Sequence, residues 1–188
     1  DSSLVRSAEA VRDGEALAMI SAGNTGATMA SALLKIGRIR GVSRPAIATP
    51  IPVLGRANPN ILLDSGANAE CNPEWLVQFA EMGAVYARDR FSTDKPKIGL
   101  LSIGEEPGKG SPLVKEAFEL LDEQDWQVRC SGEFIGNVEG RDLMNPDIDV
   151  IVTDGFTGNV ALKTLEGTAK AIVGALLDVF SSSPEAKE

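Results

Sequence analysis

Short, continuous apolar runs alternate along the chain with longer segments in which apolar residues recur every three or four positions. The candidate strands lie at residues 17–20, 46–50, 61–64, 97–102, 126–130 and 149–153, and several of them are continuous apolar runs. Runs without polar alternation are typical of parallel strands that are covered on both faces. The second pattern predicts helices over residues 3–12, 25–37, 73–90, 111–123 and 158–180, the last with a single apolar face.

The order of these segments predicts an α/β fold with a doubly wound, mostly parallel sheet, because strands and helices alternate throughout. We predict one domain over residues 1–180 and a polar tail over residues 181–188, both belonging to a longer chain. Asn72 precedes Pro73 and is the predicted N-cap of the third helix. Ligands of such sheets bind beyond the carboxyl ends of the strands, so the loops that follow the strands form the candidate site.

Four of the predicted strands end in loops that are rich in glycine, serine, threonine and asparagine. These loops are residues 21–26, 64–68, 102–110 and 153–159, and a further Gly-Asn pair lies at residues 136–137. The first N–H groups of a helix have no intrahelical partner, and glycine lets an oxyanion approach them closely. One such loop is weak evidence, because glycines also make tight turns. Four in one sheet predict a shared site for phosphate or another small anion.

The candidate residues are the hydrogen-bonding and cationic groups of these loops, with the glycines that flank them. They are Ser21, Gly23, Asn24, Thr25, Gly26, Lys109, Gly110, Arg141, Asp154, Thr157, Gly158 and Asn159. Asp64 and Asp154 each end a strand, and two roles stay open for them: orienting a substrate, or capping the helix or loop that follows. No loop matches the Walker pattern or the dinucleotide-binding fingerprint.

Composition removes several classes of function. The chain contains no histidine, which excludes a Ser-His-Asp triad, a Cys-His dyad and histidine-based metal sites within it. A net charge of −9 disfavours nucleic-acid binding. The two cysteines, Cys71 and Cys130, predict a reduced setting and are expected in the core rather than as nucleophiles. No apolar run approaches the roughly 20 residues of a membrane span. Neither a metal nor a cofactor is expected.

Six segments together resemble a known family. They are DSSLV (1–5), ISAGNTGATMA (20–30), LLDSGAN (62–68), IGLLSIGEEPGKG (98–110), IGNVEGRD (135–142) and DVIVTDGFTGNVALKTLEG (149–167). In this order they resemble the bacterial phosphate acyltransferases of the PlsX family, and the resemblance extends over residues 1–180. It implies a Rossmann-like, three-layer α/β fold related to phosphotransacetylases and to isocitrate and isopropylmalate dehydrogenases.

The resemblance also implies an activity and a set of partners. The family transfers a long-chain fatty acyl group from acyl carrier protein to inorganic phosphate, which gives an acyl phosphate for phospholipid synthesis. Its members are homodimers in the cytoplasm, associated peripherally with the inner face of the membrane, here through segments outside this chain. Acyl carrier protein is acidic, so a chain with a net charge of −9 needs a local basic patch to bind it. Residues 38–44 are the candidate patch.

The predicted mechanism needs no histidine, since phosphate is already a nucleophile at neutral pH and a thiolate is a good leaving group. We expect Asn24 and Thr25 to hold phosphate, and Lys109 to offset its charge, with Arg141 as a second cation. Asn159, or the amides of residues 157–158, is expected to stabilise the oxyanion. Two alternatives stay open: a short-chain acyl-CoA phosphate acyltransferase, and a non-catalytic scaffold that binds acyl carrier protein. A dehydrogenase of the related fold is disfavoured because no nicotinamide fingerprint is present.

Overall fold

A computed structural model describes residues 2–182 of the chain. The helices are α1 (Ser3–Arg12), α2 (Thr25–Lys35), α3 (Pro73–Phe91), α4 (Pro112–Asp122), α5 (Trp126–Cys130) and α6 (Gly155–Ser182). The strands are β1 (Thr49–Ile51), β2 (Asn60–Leu63), β3 (Lys97–Leu101), β4 (Glu133–Val138) and β5 (Val150–Val152). A short 3₁₀ helix, Gly140–Met144, lies between β4 and β5. Residues 183–188, most of the predicted polar tail, lie outside the described residues.

The five strands form one sheet in the order β1-β2-β5-β3-β4. The neighbouring pairs β2–β5, β5–β3 and β3–β4 are parallel, and β1 pairs with β2 in the antiparallel direction. Pro50 lies in β1, at the edge of the sheet, where a residue without an N–H group is tolerated. The predicted α/β fold with a mostly parallel sheet is confirmed.

Helices cover both faces of the sheet, which gives three layers. On one face, α3, α4 and α5 bury side chains such as Phe79 against Leu100 and Val150 of the sheet. On the other face, α6 packs residues such as Leu162 against a second cluster that includes Ile151. Each central strand is therefore apolar on both sides, as its continuous apolar run predicts.

Asn72 caps α3 as predicted, because its Oδ1 accepts a hydrogen bond of 3.1 Å from the backbone N–H of Trp75. Pro73 occupies the first helical position, where its missing N–H group costs nothing. These signals are local in sequence, and the observed helix, Pro73–Phe91, begins at the predicted residue.

The prediction of a strand over residues 126–130 is wrong, because this segment is the short helix α5. Asp125 caps it, with Oδ1 accepting a 3.0 Å hydrogen bond from the backbone N–H of Val128. The indole N–H of Trp126 donates to the Leu121 carbonyl at 2.7 Å, which satisfies its polar atom inside the core. The strand of this region, β4, begins only at Glu133, after the turn at Gly132.

The prediction of a strand over residues 17–20 is also wrong. In the structure this apolar run is irregular, and the side chains of Leu17 and Ile20 are fully exposed. No described strand pairs with it, and an isolated extended segment gains nothing that stabilises a strand. The run connects α1 with α2, which pack against each other. The first of the four predicted strand ends, residues 21–26, therefore does not follow a strand.

Two further boundaries differ from prediction. The predicted strand over residues 46–50 is observed as β1, Thr49–Ile51. The last helix begins at Gly155 rather than at residue 158, and it continues to Ser182. Within residues 2–182, no helix has both the length and the apolar character needed to cross a membrane.

Candidate active site

The parallel strands place three of the predicted loops at one edge of the sheet. In the sheet, Val152 of β5 lies opposite Leu63 of β2 and Leu100 of β3. Neighbouring strands are about 5 Å apart, so residues 64–68, 102–110 and 153–159 leave the sheet side by side. The end of β4 lies next to that of β3 and leads into Arg141. This edge is the candidate active site.

Asp64 holds the first of these loops to the sheet. Its side chain is fully buried. One carboxylate oxygen accepts hydrogen bonds from the backbone N–H groups of Ile47, Gly66 and Ala67, at 3.0, 3.2 and 3.0 Å. The other accepts from the backbone N–H and side-chain amide of Asn68, at 2.7 and 2.9 Å. Because both oxygens are fully occupied, the structure favours the structural role for Asp64 over an interaction with substrate.

The start of α6 packs directly against this loop. The backbone N–H of Gly155 donates to the Asn68 carbonyl at 2.8 Å. Gly158 approaches the chain so closely that a Cβ atom there would lie 2.0 Å from the Asp64 carbonyl oxygen. A Cβ atom on Gly66 would lie 3.5 Å from Oδ1 of Asn159. The exposed Asn159 amide therefore lies beside the loop, at the mouth of the site.

Asp154 caps α6, which supports the capping alternative for this residue. Its carboxylate accepts hydrogen bonds from the backbone N–H and the hydroxyl of Thr157, at 2.9 and 2.7 Å. Its carbonyl accepts from the backbone N–H of Gly158 at 2.9 Å. The two amides predicted to stabilise an oxyanion are thus engaged with Asp154. In the described part of the chain, the backbone N–H of Phe156 and the side chain of Asn159 have no hydrogen-bond partner.

The loop of residues 102–110 has unpaired donors. None of the hydrogen bonds found within residues 2–182 uses the backbone N–H groups of residues 103–106. Lys109 is exposed, and its ammonium group has no carboxylate partner among the described residues. Its stem passes over Gly104, where a Cβ atom would lie 3.0 Å from Lys109 Cγ. Gly110 adopts a φ of 106°, which a residue with a side chain rarely adopts.

Asn137 on β4 connects this loop to the sheet, and the sequence assigned it no role. It is only 5% exposed, and its side-chain amide donates to the Glu106 carbonyl at 2.8 Å. The same carbonyl accepts the backbone N–H of Lys109 at 3.0 Å, so Asn137 fixes the turn that carries Lys109. Oδ1 of Asn137 has no partner among the described residues. The Gly-Asn pair at residues 136–137 is the only sequence signal that points to it.

Arg141 is not a free cation for phosphate in this structure. Its guanidinium group forms ion pairs with Glu105 at 2.8 Å and with Glu139 at 3.0 Å. A small pocket of about 390 Å³ here is lined by Arg141 and three carboxylates, those of Glu105, Glu106 and Glu139. The formal charge of this small pocket is therefore negative, and the Arg141 guanidinium group is paired with two of its carboxylates. The role predicted for Arg141 as a second cation for phosphate therefore stays a prediction.

The polar groups of residues 21–26 bind their own loop. Oδ1 of Asn24 caps α2 by accepting the backbone N–H of Ala27 at 2.9 Å. The Ser21 hydroxyl accepts from the backbone N–H of Gly23 at 3.0 Å and from the Thr28 hydroxyl at 3.1 Å.

Thr25 and Gly26 form the exposed first turn of α2. Within residues 2–182, no hydrogen bond joins residues 21–26 to the three loops at the sheet edge. The phosphate-binding role predicted for this loop therefore stays a prediction.

Cys71 lies between the loop of Asp64 and helix α3, and its chemistry is that of a core residue. Burial raises the pKa of the Cys71 thiol to about 11, and the negative charges of Asp64 and Asp154 act in the same direction. Burial also raises the pKa of Cys130. Both thiols are therefore protonated at neutral pH, as expected of residues that are not nucleophiles.

We expect iodoacetamide to alkylate Cys71 more than about 100-fold slower at pH 8 than it alkylates an unhindered thiol, because the thiolate fraction is that much smaller. The rate should rise about tenfold per pH unit up to the pKa. Peptide mapping by mass spectrometry measures it, with glutathione in the same tube as the reference thiol. Alkylation of Cys71 at the rate of glutathione would contradict the raised pKa.

Two solved structures with a similar fold are named phosphotransacetylases. The EutD phosphotransacetylase from Staphylococcus aureus is similar with a TM-score of 0.66 and 21% identity, over 89% of this chain and 56% of that one. A phosphotransacetylase from Streptococcus pyogenes gives a TM-score of 0.67 and 20% identity, over 88% of this chain and 55% of that one. At these identities the likeness establishes the fold, which is that of the phosphotransacetylases.

The sequence comparisons define the family. Residues 1–187 match the family model described as "Fatty acid synthesis protein". A protein from Staphylococcus aureus (strain JH9), named phosphate acyltransferase, is 50% identical over 187 residues. That match covers 100% of this chain and 55% of the relative, so the chain spans about half the length of the curated relatives it matches. The chain belongs to the fatty acid synthesis protein family, that of the PlsX phosphate acyltransferases, which confirms the resemblance.

Proposed function

We propose that the full-length protein transfers an acyl group from a thioester to inorganic phosphate, and that phosphate binds at the sheet edge described above. The observation that carries this proposal is the loop of residues 102–110. It combines an ammonium group without a carboxylate partner, Lys109, with four backbone N–H groups that no described residue uses. Such a combination suits a multivalent oxyanion. The family match and the 50% identity to a phosphate acyltransferase support the same reaction.

The reaction proceeds by attack of a phosphate oxygen on the thioester carbonyl carbon. A carbon–oxygen bond forms, the carbon–sulfur bond breaks, and the sulfur leaves as a thiolate that takes a proton from solvent. In this scheme Lys109 holds phosphate, and the Asn159 amide with the Phe156 N–H stabilises the tetrahedral oxyanion. Asp154 fixes the first turn of α6 through Thr157, and Gly110 shapes the start of α4. No cofactor takes part.

The acyl donor proposed for the reaction is a long-chain acyl group on acyl carrier protein. The family description, fatty acid synthesis, supports a carrier-bound donor. The further proposals are a homodimer and a cytoplasmic protein that associates with the inner face of the membrane through segments outside this chain. These three proposals rest on the family.

The test of the proposed function is phosphate-dependent thiol release by the full-length protein. Palmitoyl acyl carrier protein and butyryl-CoA are compared, each with and without phosphate. We expect release that requires phosphate and is at least about tenfold faster from the palmitoyl carrier, because a pocket gains binding energy from each additional methylene group. Preference for butyryl-CoA would favour the short-chain alternative. No release from either donor would favour the scaffold alternative.

The role of Asn24 needs a variant that separates capping from phosphate binding. Asn24→Ser keeps a side chain that caps α2, whereas Asn24→Ala removes the cap and costs about 1 kcal/mol. If Asn24 also holds phosphate, both variants raise the KM for phosphate. If Asn24 only caps the helix, Asn24→Ser retains the wild-type KM.

The Asn137→Ala variant is expected to raise the KM for phosphate about fivefold to tenfold, since the lost hydrogen bond to Glu106 is worth about 1 kcal/mol and positions Lys109. Steady-state kinetics of the full-length protein measure the effect. The matched control is Asn58→Ala, which removes a similar 2.9 Å hydrogen bond from the Asn58 side-chain amide to the Phe91 carbonyl. Asn58 precedes β2, so it lies at the end of the sheet opposite the candidate site. Equal KM values for Asn137→Ala and wild type would contradict the positioning role.

A further inference from the structure

Charge is unevenly distributed along this acidic chain. Residues 16–63 contain no aspartate or glutamate, although the net charge of the chain is −9. Their five cations are Lys35, Arg38, Arg40, Arg44 and Arg56. Lys35 pairs with Glu9 at 3.0 Å, and Arg56 pairs with Asp149. The three remaining arginines all lie in residues 38–44, which form a local basic surface on an otherwise acidic protein.

This basic segment borders an apolar groove. A cavity of about 780 Å³ lies between residues 39–42 and the C-terminal part of α3. Its apolar lining comprises Ile39, Val42, Met82, Val85 and Tyr86. Gln78 holds the two sides together, because its side chain accepts from the backbone N–H of Ser43 at 2.8 Å and donates to the Gly41 carbonyl at 3.1 Å. The groove is therefore formed before any partner binds.

The rim of the groove carries two acidic and two basic residues, which are not paired with one another. The two acidic residues that line the groove, Glu81 and Asp89, already have cationic partners. Glu81 pairs with Arg129 at 3.0 Å. Asp89 pairs with Arg88 at 2.9 Å. The other two rim residues, Arg40 and Arg90, have no carboxylate partner in residues 2–182. The groove thus presents an apolar floor with two arginines at its edge whose charges are available to a partner.

We propose that this groove docks an acidic, amphipathic helix of a partner protein. The apolar side chains of that helix would fill the floor, and its carboxylates would pair with Arg40 and Arg90. From Gln78 to Arg90 the α3 side of the groove is roughly 18 Å long, enough for about three turns of a docked helix. For the identity of the partner the proposal rests on the proposed function, under which it is acyl carrier protein.

The position of the groove suits delivery of a thioester to the candidate site. Helix α3 begins at Pro73, directly after the loop held by Asp64, so its N-terminus lies at the reactive edge of the sheet. Gln78, at the near end of the groove, is about 8 Å along the helix from that point. A partner on this surface would lie beside the site without covering it.

The test is the affinity of the full-length protein for acyl carrier protein without its acyl group. The Arg40→Glu/Arg90→Glu variant is expected to weaken binding at low salt by about tenfold or more, and to lessen its salt dependence. The matched control is Lys163→Glu/Lys170→Glu, which makes the same charge change on α6, on the opposite face of the sheet. The milder Arg40→Gln/Arg90→Gln variant gives an intermediate affinity if charge is the cause, and thermal unfolding checks that each variant is folded.

Binding within twofold of wild type in Arg40→Glu/Arg90→Glu, or an equal loss in the control, would overturn the proposal. The proposal would also be overturned if Arg40→Glu/Arg90→Glu bound the carrier as wild type does but lost binding to phosphatidylglycerol vesicles or to single-stranded DNA. The surface would then serve a lipid or a nucleic acid. The KM for phosphate and thiol release from palmitoyl-CoA should not change. Because carrier affinity is measured without turnover, failure of the proposed reaction leaves this test intact.

Discussion

The Gly158→Ala variant is expected to lose about 3 kcal/mol of its free energy of unfolding. A Cβ atom at this position would lie 2.0 Å from the carbonyl oxygen and 3.0 Å from the carbonyl carbon of Asp64. Both are backbone atoms, and Asp64 is held by five hydrogen bonds to its carboxylate, so the loop cannot move aside cheaply. The start of α6 must shift instead, which separates it from the loop of residues 64–68.

Urea unfolding followed by circular dichroism measures the loss. The matched control is Gly167→Ala, in the same helix, where nothing lies within 4 Å of the new Cβ atom. The control should be as stable as wild type or more stable by up to about 1 kcal/mol, because alanine favours the helix. A Gly158→Ala variant that is as stable as the control would show that α6 does not pack against Asp64 as described.

The Lys109→Ala variant is expected to lower kcat/KM for phosphate by about 100-fold to 1,000-fold in the full-length protein. Lys109 is the only cation in the sequence of residues 102–110. Its ammonium group has no carboxylate partner among the described residues. Its loss removes a charge-assisted hydrogen bond to a doubly charged substrate. Stability should hardly change, because the side chain is exposed and its ammonium group has no partner among the described residues.

Steady-state kinetics with varied phosphate measure this effect, and two variants serve as controls. Lys115→Ala removes another exposed lysine, on α4, and should leave kcat/KM within twofold of wild type. Lys109→Arg keeps the charge but changes the geometry, so it should retain part of the activity. A Lys109→Ala enzyme with the same KM and kcat as Lys115→Ala would remove Lys109 from the site.

Features that depend on residues close in sequence were predictable. The cap of α3 by Asn72 and the residue at which that helix begins follow from the local pattern. The segment of residues 126–130 shows the limit, because its alternation of apolar and polar residues indicates a strand, while five residues are too few for the pattern to exclude a short helix. The deciding contacts were the cap from Asp125 and the bond from Trp126 to the Leu121 carbonyl.

Strand pairing depends on distant residues, and there the sequence was less informative. The run at residues 17–20 is as apolar as β5, yet only β5 has neighbours on both sides in the described structure. Topology did bring the loops after β2, β3 and β5 to one edge, as the alternation of strands and helices indicates. The pairing of Arg141 with Glu105 and of Asn137 with Glu106 depends on how β3 and β4 lie together, which no local pattern shows.

In the proposed function, phosphate binds at the loop of residues 102–110 through Lys109. Equilibrium dialysis of labelled inorganic phosphate against the full-length protein, without an acyl donor, tests it most directly. We expect Lys109→Ala to weaken phosphate binding by about tenfold or more, whereas Arg141→Ala, which removes a charge that is already paired, should stay within twofold of wild type. Loss of binding in Arg141→Ala with unchanged binding in Lys109→Ala would contradict it.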